Sequence, residues 1–149
     1  MFLWRISKYL TLDGRGGLEA SARWHNVGRP VVYLSENPAS ALLEILVHLE
    51  LKPNELPSGY KLLQVHVPDQ VRPAQLEISK LPENWKGNEA VTRRFGDLWL
   101  DGNSAALLEV PSALVLHTNN FLLNPQHKEA SSITIVSVEP LAFDERLLR

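Results

Sequence analysis

The sequence predicts a single α+β domain over residues 1–149, built on a mixed or antiparallel sheet with a few helices. Short apolar segments punctuated by Pro, Asn and Gly fill both ends of the chain, whereas only two segments carry helical periodicity. Strands and helices do not alternate as a βαβ fold would require. The ten prolines and eight glycines are spread evenly, with no Ser/Gly linker, low-complexity tract or internal repeat to mark a second unit. A chain of this size buries roughly two-thirds of the surface exposed when unfolded, so it folds without disulfides or a structural metal.

The first strand signal is Phe2 to Ile6. The glycine-rich Asp13-Gly14-Arg15-Gly16-Gly17 reads as a flexible turn, and strands are expected again at Ala22 to Trp24 and Val31 to Leu34. Asn37 then caps a helix with Pro38 at its first position, where the missing N–H costs nothing. From Ala39 to Leu51 the residues Leu42, Leu43, Ile45, Leu46 and Leu49 recur at helical steps, and Lys52-Pro53 stops the run. Tyr60 to Val67 is expected as a central strand ended by Pro68, and Leu76 to Ile78 as a short one. A second helix is expected over Asn88 to Leu100, with Asp101-Gly102 as its stop. Strands return at Ala106 to Glu109, Ala113 to His117, Phe121-Leu122 and Ile133 to Val138.

Composition narrows the function. With no cysteine, thiolate metal sites, iron–sulfur clusters and thiol nucleophiles are excluded, and a reducing cytoplasm is the expected compartment. The net charge of −2 comes from 15 basic and 17 acidic side chains mixed along the chain, which disfavours nucleic-acid binding. Neither a secretory signal nor a membrane span is expected: Ala41 to Leu51 is interrupted by Glu44, His48 and Glu50 and is far shorter than the ~20 residues a spanning helix needs. The five histidines lie too far apart for a zinc site, and the Gly14–Gly17 run lacks a Walker lysine.

The densest group of unusual polar residues is Arg23, His25, Tyr33, Ser35 and Glu44, on two strands and the next helix. Alternation puts Tyr33 on the face opposite Val32 and Leu34, compatible with a ring lining a cleft. Glu44 sits close to the apolar arc that Leu43, Leu46 and Val47 help define, which predicts a carboxylate pointing inward or to a cleft rim, an unusual place for Glu. A second group is Val110-Pro111-Ser112-Ala113 with Asn119-Asn120 and Asn124-Pro125-Gln126-His127. Ser112 lacks the Gly-x-Ser-x-Gly elbow, so no nucleophilic triad is predicted, and the asparagines read as loop residues.

The order Trp4-Arg5, Ala22-Arg23-Trp24-His25, Gly28, Val32-Tyr33, Pro38, Ala41-Leu42-Leu43-Glu44, Val110-Pro111-Ser112 and Asn124-Pro125-Gln126-His127 resembles the RES-domain family over nearly the whole chain. The Arg, Glu and Ser that name the family match Arg23, Glu44 and Ser112. Ser21-Ala22 stands where paired glycines are common, and His25 where Asn is expected. The resemblance implies an ADP-ribosyltransferase-like fold and a toxin paired with an Xre-type antitoxin that blocks its active site. NAD⁺ is the implied substrate, cleaved by hydrolysis or phosphorolysis with phosphate as co-substrate, and no bound cofactor or metal is required. The alternatives are mono-ADP-ribosylation of a protein or a non-catalytic nucleotide- or partner-binding module.

In NAD⁺ the departing nicotinamide leaves neutral, so the chemical problem is the oxocarbenium ion that develops on the ribose. A carboxylate stabilises that charge and accepts a hydrogen bond from the ribose 2-hydroxyl, which is the role implied for Glu44. Arg23, with Arg5 second, would clamp the pyrophosphate through its planar fork. Tyr33 would stack on the nicotinamide or hold it by its hydroxyl, and Ser112 would orient the ribose or the carboxylate. His25, Asn124 and His127 complete the implied NAD⁺-binding set, the last two at the rim.

Overall fold

Val32 and Leu34 leave one face of their strand for the interior while Tyr33 leaves the other, and this two-residue period organises the whole sheet. The computed structural model describes residues 1–49 and 55–148. Its strands are β1 (Phe2–Ser7), β2 (Val32–Ser35), β3 (Lys61–His66), β4 (Ala74–Gln75), β5 (Leu107–Pro111), β6 (Asn119–Leu123) and β7 (Thr134–Pro140). They form one sheet in the order β4-β5-β6-β2-β1-β3-β7. Every neighbouring pair is antiparallel except β4 with β5, so the sheet is mixed and the expected α+β class holds. The helices are α1 (Arg15–Glu19), α2 (Pro38–His48) and α3 (Glu89–Gly102), with short 3₁₀ turns between elements.

Both faces of the sheet are covered. On one, Leu3, Val32, Leu34, Val65, Leu107, Phe121 and Leu123 pack with Val71 and Ile133 from the loops. On the other lie two separate clusters. Trp24, Trp85 and Trp99 pack with Leu108, Val110 and Leu122, while Ile6, Ala41 and Phe143 pack with partly buried residues of α2. The gap between these two clusters is where the candidate site lies.

Several elements differ from the sequence reading, each for a local reason. The Gly14–Gly17 run is not a flexible turn: Gly14, at φ 76, starts the single-turn α1, and a Cβ there would strike the Val31 amide. Ala22 to Trp24 makes only one bridge, Ala22 with His25, because its carbonyls are taken by α3. Ala113 to His117 is a turn: Ser112 Oγ accepts the amides of Leu114 and Val115, His117 has φ 57, and the chain returns directly as β6. The short strand expected at Leu76 to Ile78 lies two residues earlier, as β4, and β3 is next to the edge strand β7 and is not central. α2 begins as expected, with Asn37 Oδ1 accepting the Ser40 amide at 2.8 Å, and ends at His48. The Lys52-Pro53 stop lies outside the described residues. α3 runs two residues further than predicted and ends where Asn103 turns into the left-handed region at φ 49.

Candidate active site

Ala41, Glu44, Ile45 and His48 recur at helical steps on α2 and line one wall of a cleft of about 310 Å³. Arg23 and Trp24 also line it, together with the sheet at Trp4, Tyr33, Ser35 and Asn120. Thus Arg23, Tyr33 and Glu44 do share one cavity, contributed by a loop, a strand and a helix.

Glu44 is half-buried on the cleft side of α2. The arc assigned to it from sequence needs correction, because Leu43 and Val47 are 45% and 58% exposed and the buried stripe runs through Ser40 and Ala41. Its Oε1 accepts a hydrogen bond from Asn120 Nδ2 at 2.8 Å and one from Ser112 Oγ at 3.4 Å. Ser112 itself is buried behind the carboxylate rather than in the cleft lining, with its oxygen occupied by the Leu114 and Val115 amides.

The Arg23 loop is gripped from α3 and from β2. Arg93 Nε donates to the Ala22 carbonyl at 2.8 Å, the Thr92 hydroxyl donates to the Arg23 carbonyl, and Gly96 lies against the Trp24 carbonyl. From β2, Tyr33 Oη accepts the Trp24 amide at 3.0 Å and meets His25 Nδ1 at 2.8 Å. His25 Nε2 is 2.9 Å from the Ala20 carbonyl, which can only accept, so Nε2 carries the proton and Nδ1 accepts from the tyrosine. Burial lowers the His25 pKa and pushes the Tyr33 phenol well above its ordinary range, so both are neutral at physiological pH. The Tyr33 hydroxyl is therefore committed to holding the loop, and its ring is what the cleft receives.

The Arg23 guanidinium is steadied by the 3₁₀ turn Trp85–Gly87 and by the first residue of α3. Nη1 donates to the Lys86 carbonyl at 2.8 Å, and Nη2 lies 3.7 Å from Glu89, which also lines the cleft. Arg5 lies in β1 between Trp4 and Ile6, which face the cleft side, so the alternation of the strand sends its side chain to the other face with Leu3, and the second cation expected for the pyrophosphate is not brought into the cleft. Burial lowers its pKa while Asp13 and Tyr9 oppose that effect, and no hydrogen bond or ion pair among the described residues engages it. A guanidinium stays charged at any biological pH.

Three further residues of the expected NAD⁺-binding set are not brought to the cleft. His25 is buried with both ring nitrogens engaged. Asn124 spends its amide on Asn103 and the Gln126 N–H, and His127 Nδ1 accepts from the Glu129 amide. These last two lie beyond the far end of β6 from Asn120, and four strand residues span roughly 13 Å. They build the turn after β6.

Asn120, Glu89 and the gripping residues Thr92 and Arg93 were missed in the sequence. Asn120 reads as one of two loop asparagines, and only the register Ser35 with Asn120 reveals that it is a strand residue facing the cleft. A helix carrying Thr92, Arg93 and Gly96 gives no local sign that it holds a distant loop.

A family model described as the RES domain matches residues 2–144. A Toxin Res of Pseudomonas putida is 48% identical over 147 residues, 99% of either chain. A Prs ADP-ribosylating toxin of a Sphingobium species is 36% identical, aligned over 93% of this chain and 87% of its own. A chain of the M. tuberculosis MbcT–MbcA toxin–antitoxin complex shares the fold at TM-score 0.73 and 13% identity, over 99% of this chain and 86% of that one. The chain belongs to the RES-domain family. Within that family it stands with the Res toxins.

Proposed function

We propose that this toxin cleaves NAD⁺ at the nicotinamide–ribose bond, with water or phosphate as acceptor, and arrests growth by depleting the dinucleotide. The observation that carries the reading is the Glu44 carboxylate, anchored through one oxygen in a cleft that Arg23 also lines. A cavity of about 310 Å³ falls within the range of small-molecule sites.

In this reading Arg23 holds the pyrophosphate. The Tyr33 ring offers its face to the cationic pyridinium before the bond breaks. As nicotinamide departs with the bonding electron pair, positive charge spreads over the ribose C1 and ring oxygen. The Glu44 carboxylate stabilises that charge and accepts from the 2-hydroxyl, in a setting drier than bulk water where such attraction is strengthened. Ser112 contributes by holding the turn beside Glu44.

Purified protein incubated with NAD⁺ should release nicotinamide, detected by chromatography, and the Glu44→Gln variant should fold normally and release it at least ~100-fold more slowly. Buffers with and without phosphate separate phosphorolysis from hydrolysis. Absence of release by the parent in both buffers overturns the reading, and a Glu44→Gln variant that stays as growth-inhibitory as the parent favours a non-catalytic module.

Transfer of ADP-ribose to a protein is the second reading, favoured by the name of the Sphingobium relative. Labelled ADP-ribose appearing on a macromolecule selects it. An Xre-type antitoxin that occludes the cleft is the proposed partner in the cytoplasm. Its support is the complex in which the M. tuberculosis neighbour was solved, together with the exposed Val47 and Leu114 at the cleft edge, an apolar rim suited to a protein plug. Among the described residues no helix is long and apolar enough to cross a membrane. Co-purification with the partner and loss of NAD⁺ binding in the complex test this.

A further inference from the structure

The two partners of Glu44 are unequal. Ser112 Oγ lies 3.4 Å from Oε1, long for a hydroxyl on a carboxylate, and already accepts two amides at 3.1 Å each. Asn120 Nδ2 lies 2.8 Å from the same oxygen, the length of a charge-assisted bond. Among the described residues no hydrogen bond engages Oε2.

Asn120 holds this position at a cost. Its Oδ1 is buried and has no hydrogen-bond partner among the described residues, a state that native proteins tolerate rarely. Turning the amide over would set that oxygen against the Glu44 carboxylate, so the one bond to Glu44 fixes the orientation. The fold itself does not need an amide here, since the next two residues of β6 are the apolar Phe121 and Leu122 and the ladder to Ser35 and Val110 uses only the backbone.

We infer that Asn120 is a positioning residue for the reaction: it pins Oε1 of Glu44 and thereby leaves Oε2 as the oxygen presented to the ribose. Ser112 chiefly shapes the turn. The inference rests on the reading of Glu44 as the residue that stabilises the transition state, and it ranks two residues that the family name would order the other way.

Asn120→Leu, Ser112→Ala and the parent are compared in nicotinamide release and in denaturant unfolding. Asn120→Leu removes the orphaned oxygen, so its unfolding midpoint should equal or exceed the parent's. Its kcat should fall ~10–100-fold with KM within about threefold, the loss expected for one charge-assisted hydrogen bond made to a reacting group. Ser112→Ala should show the converse: a lower midpoint and a kcat loss below ~10-fold. Asn120→Asp keeps the shape and replaces the donor with a repelling carboxylate, so it should lose at least as much kcat as Asn120→Leu. Parental kcat in Asn120→Leu or Asn120→Asp overturns the inference while leaving NAD⁺ cleavage intact. A larger kcat loss in Ser112→Ala than in Asn120→Leu overturns it as well. A parent that releases no nicotinamide overturns both.

Discussion

Gly96 of α3 lies against the main-chain carbonyl of Trp24, closer than any side-chain carbon could approach. The neighbouring turn of the same helix grips the two preceding carbonyls, Arg93 on Ala22 and Thr92 on Arg23. A glycine inside a helix normally costs about 1 kcal/mol relative to alanine, so at an open position Gly→Ala stabilises. Here the sign reverses. Gly96→Ala should lower stability by about 1–3 kcal/mol in urea unfolding, because α3 must retreat from the loop, and it should weaken substrate binding by releasing the Arg23 loop. An unchanged or raised unfolding midpoint would show that the loop gives way without cost.

Tyr33→Phe isolates the hydroxyl from the ring. The variant keeps the aromatic face in the cleft but strips the Trp24 amide and His25 Nδ1 of their common partner. Leaving such buried groups unsatisfied costs about 1–3 kcal/mol, and the loss should appear as a lower unfolding midpoint. A variant as stable as the parent would mean that the hydroxyl does not hold the loop.

The same triad gives a pH dependence whose sign is fixed. Burial depresses the His25 pKa in the folded state, and Arg93 adds to that while Asp97 and the Ala20 and Gly17 backbone oppose it. In the unfolded chain the imidazole titrates near ~6.5, so below that pH the unfolded state binds a proton that the folded state refuses. Stability should therefore be flat in this group above about pH 7.5 and fall as pH drops through ~6.5 toward the folded-state value, by at most ~1.4 kcal/mol per pH unit. Urea midpoints measured between pH 5 and 8 on the parent and on His25→Asn check this. A slope that survives in His25→Asn would assign it to other groups.

What the sequence could show divides along physical lines. Elements whose signal is local were legible: the Asn37-Pro38 start of α2 and the alternation of β2 and β3 are set by neighbours in the chain. So was the oddity of Glu44, since a carboxylate beside a buried stripe is visible from helical period alone, even though Leu43 and Val47 turned out to face solvent. The proposed set Arg23, Tyr33 and Glu44 came through family resemblance, and all three line the cleft. What stayed hidden depends on contacts distant in sequence. Asn120 meets Glu44 across 76 positions, and Thr92 meets the Arg23 carbonyl across 69. Asn124 and His127 looked like site residues for the same reason in reverse. A motif of asparagine and histidine carries the same letters whether it closes a cleft or, as in this chain, a turn.

The Arg23 to Glu89 ion pair sets up a competition at the cleft. Glu89 Oε1 lies 3.7 Å from Arg23 Nη2, both residues line the cleft, and the other oxygen of Glu89 is 2.7 Å from Arg93 Nη2. The carboxylate is about half exposed, so solvent screens its effect, but its negative charge still opposes an anionic ligand. Glu89→Gln should therefore lower KM for NAD⁺ by ~2–5-fold with kcat little changed, the size of a partly screened surface charge. Arg23→Lys should move KM the other way, by at least ~10-fold, since a lysine keeps the charge but loses the fork that spans two oxygens and also the hydrogen bond to the Lys86 carbonyl. Steady-state kinetics on both variants decide it. If Glu89→Gln raises KM, the carboxylate aids binding, either by orienting Arg23 or by touching the substrate, and the competition does not exist.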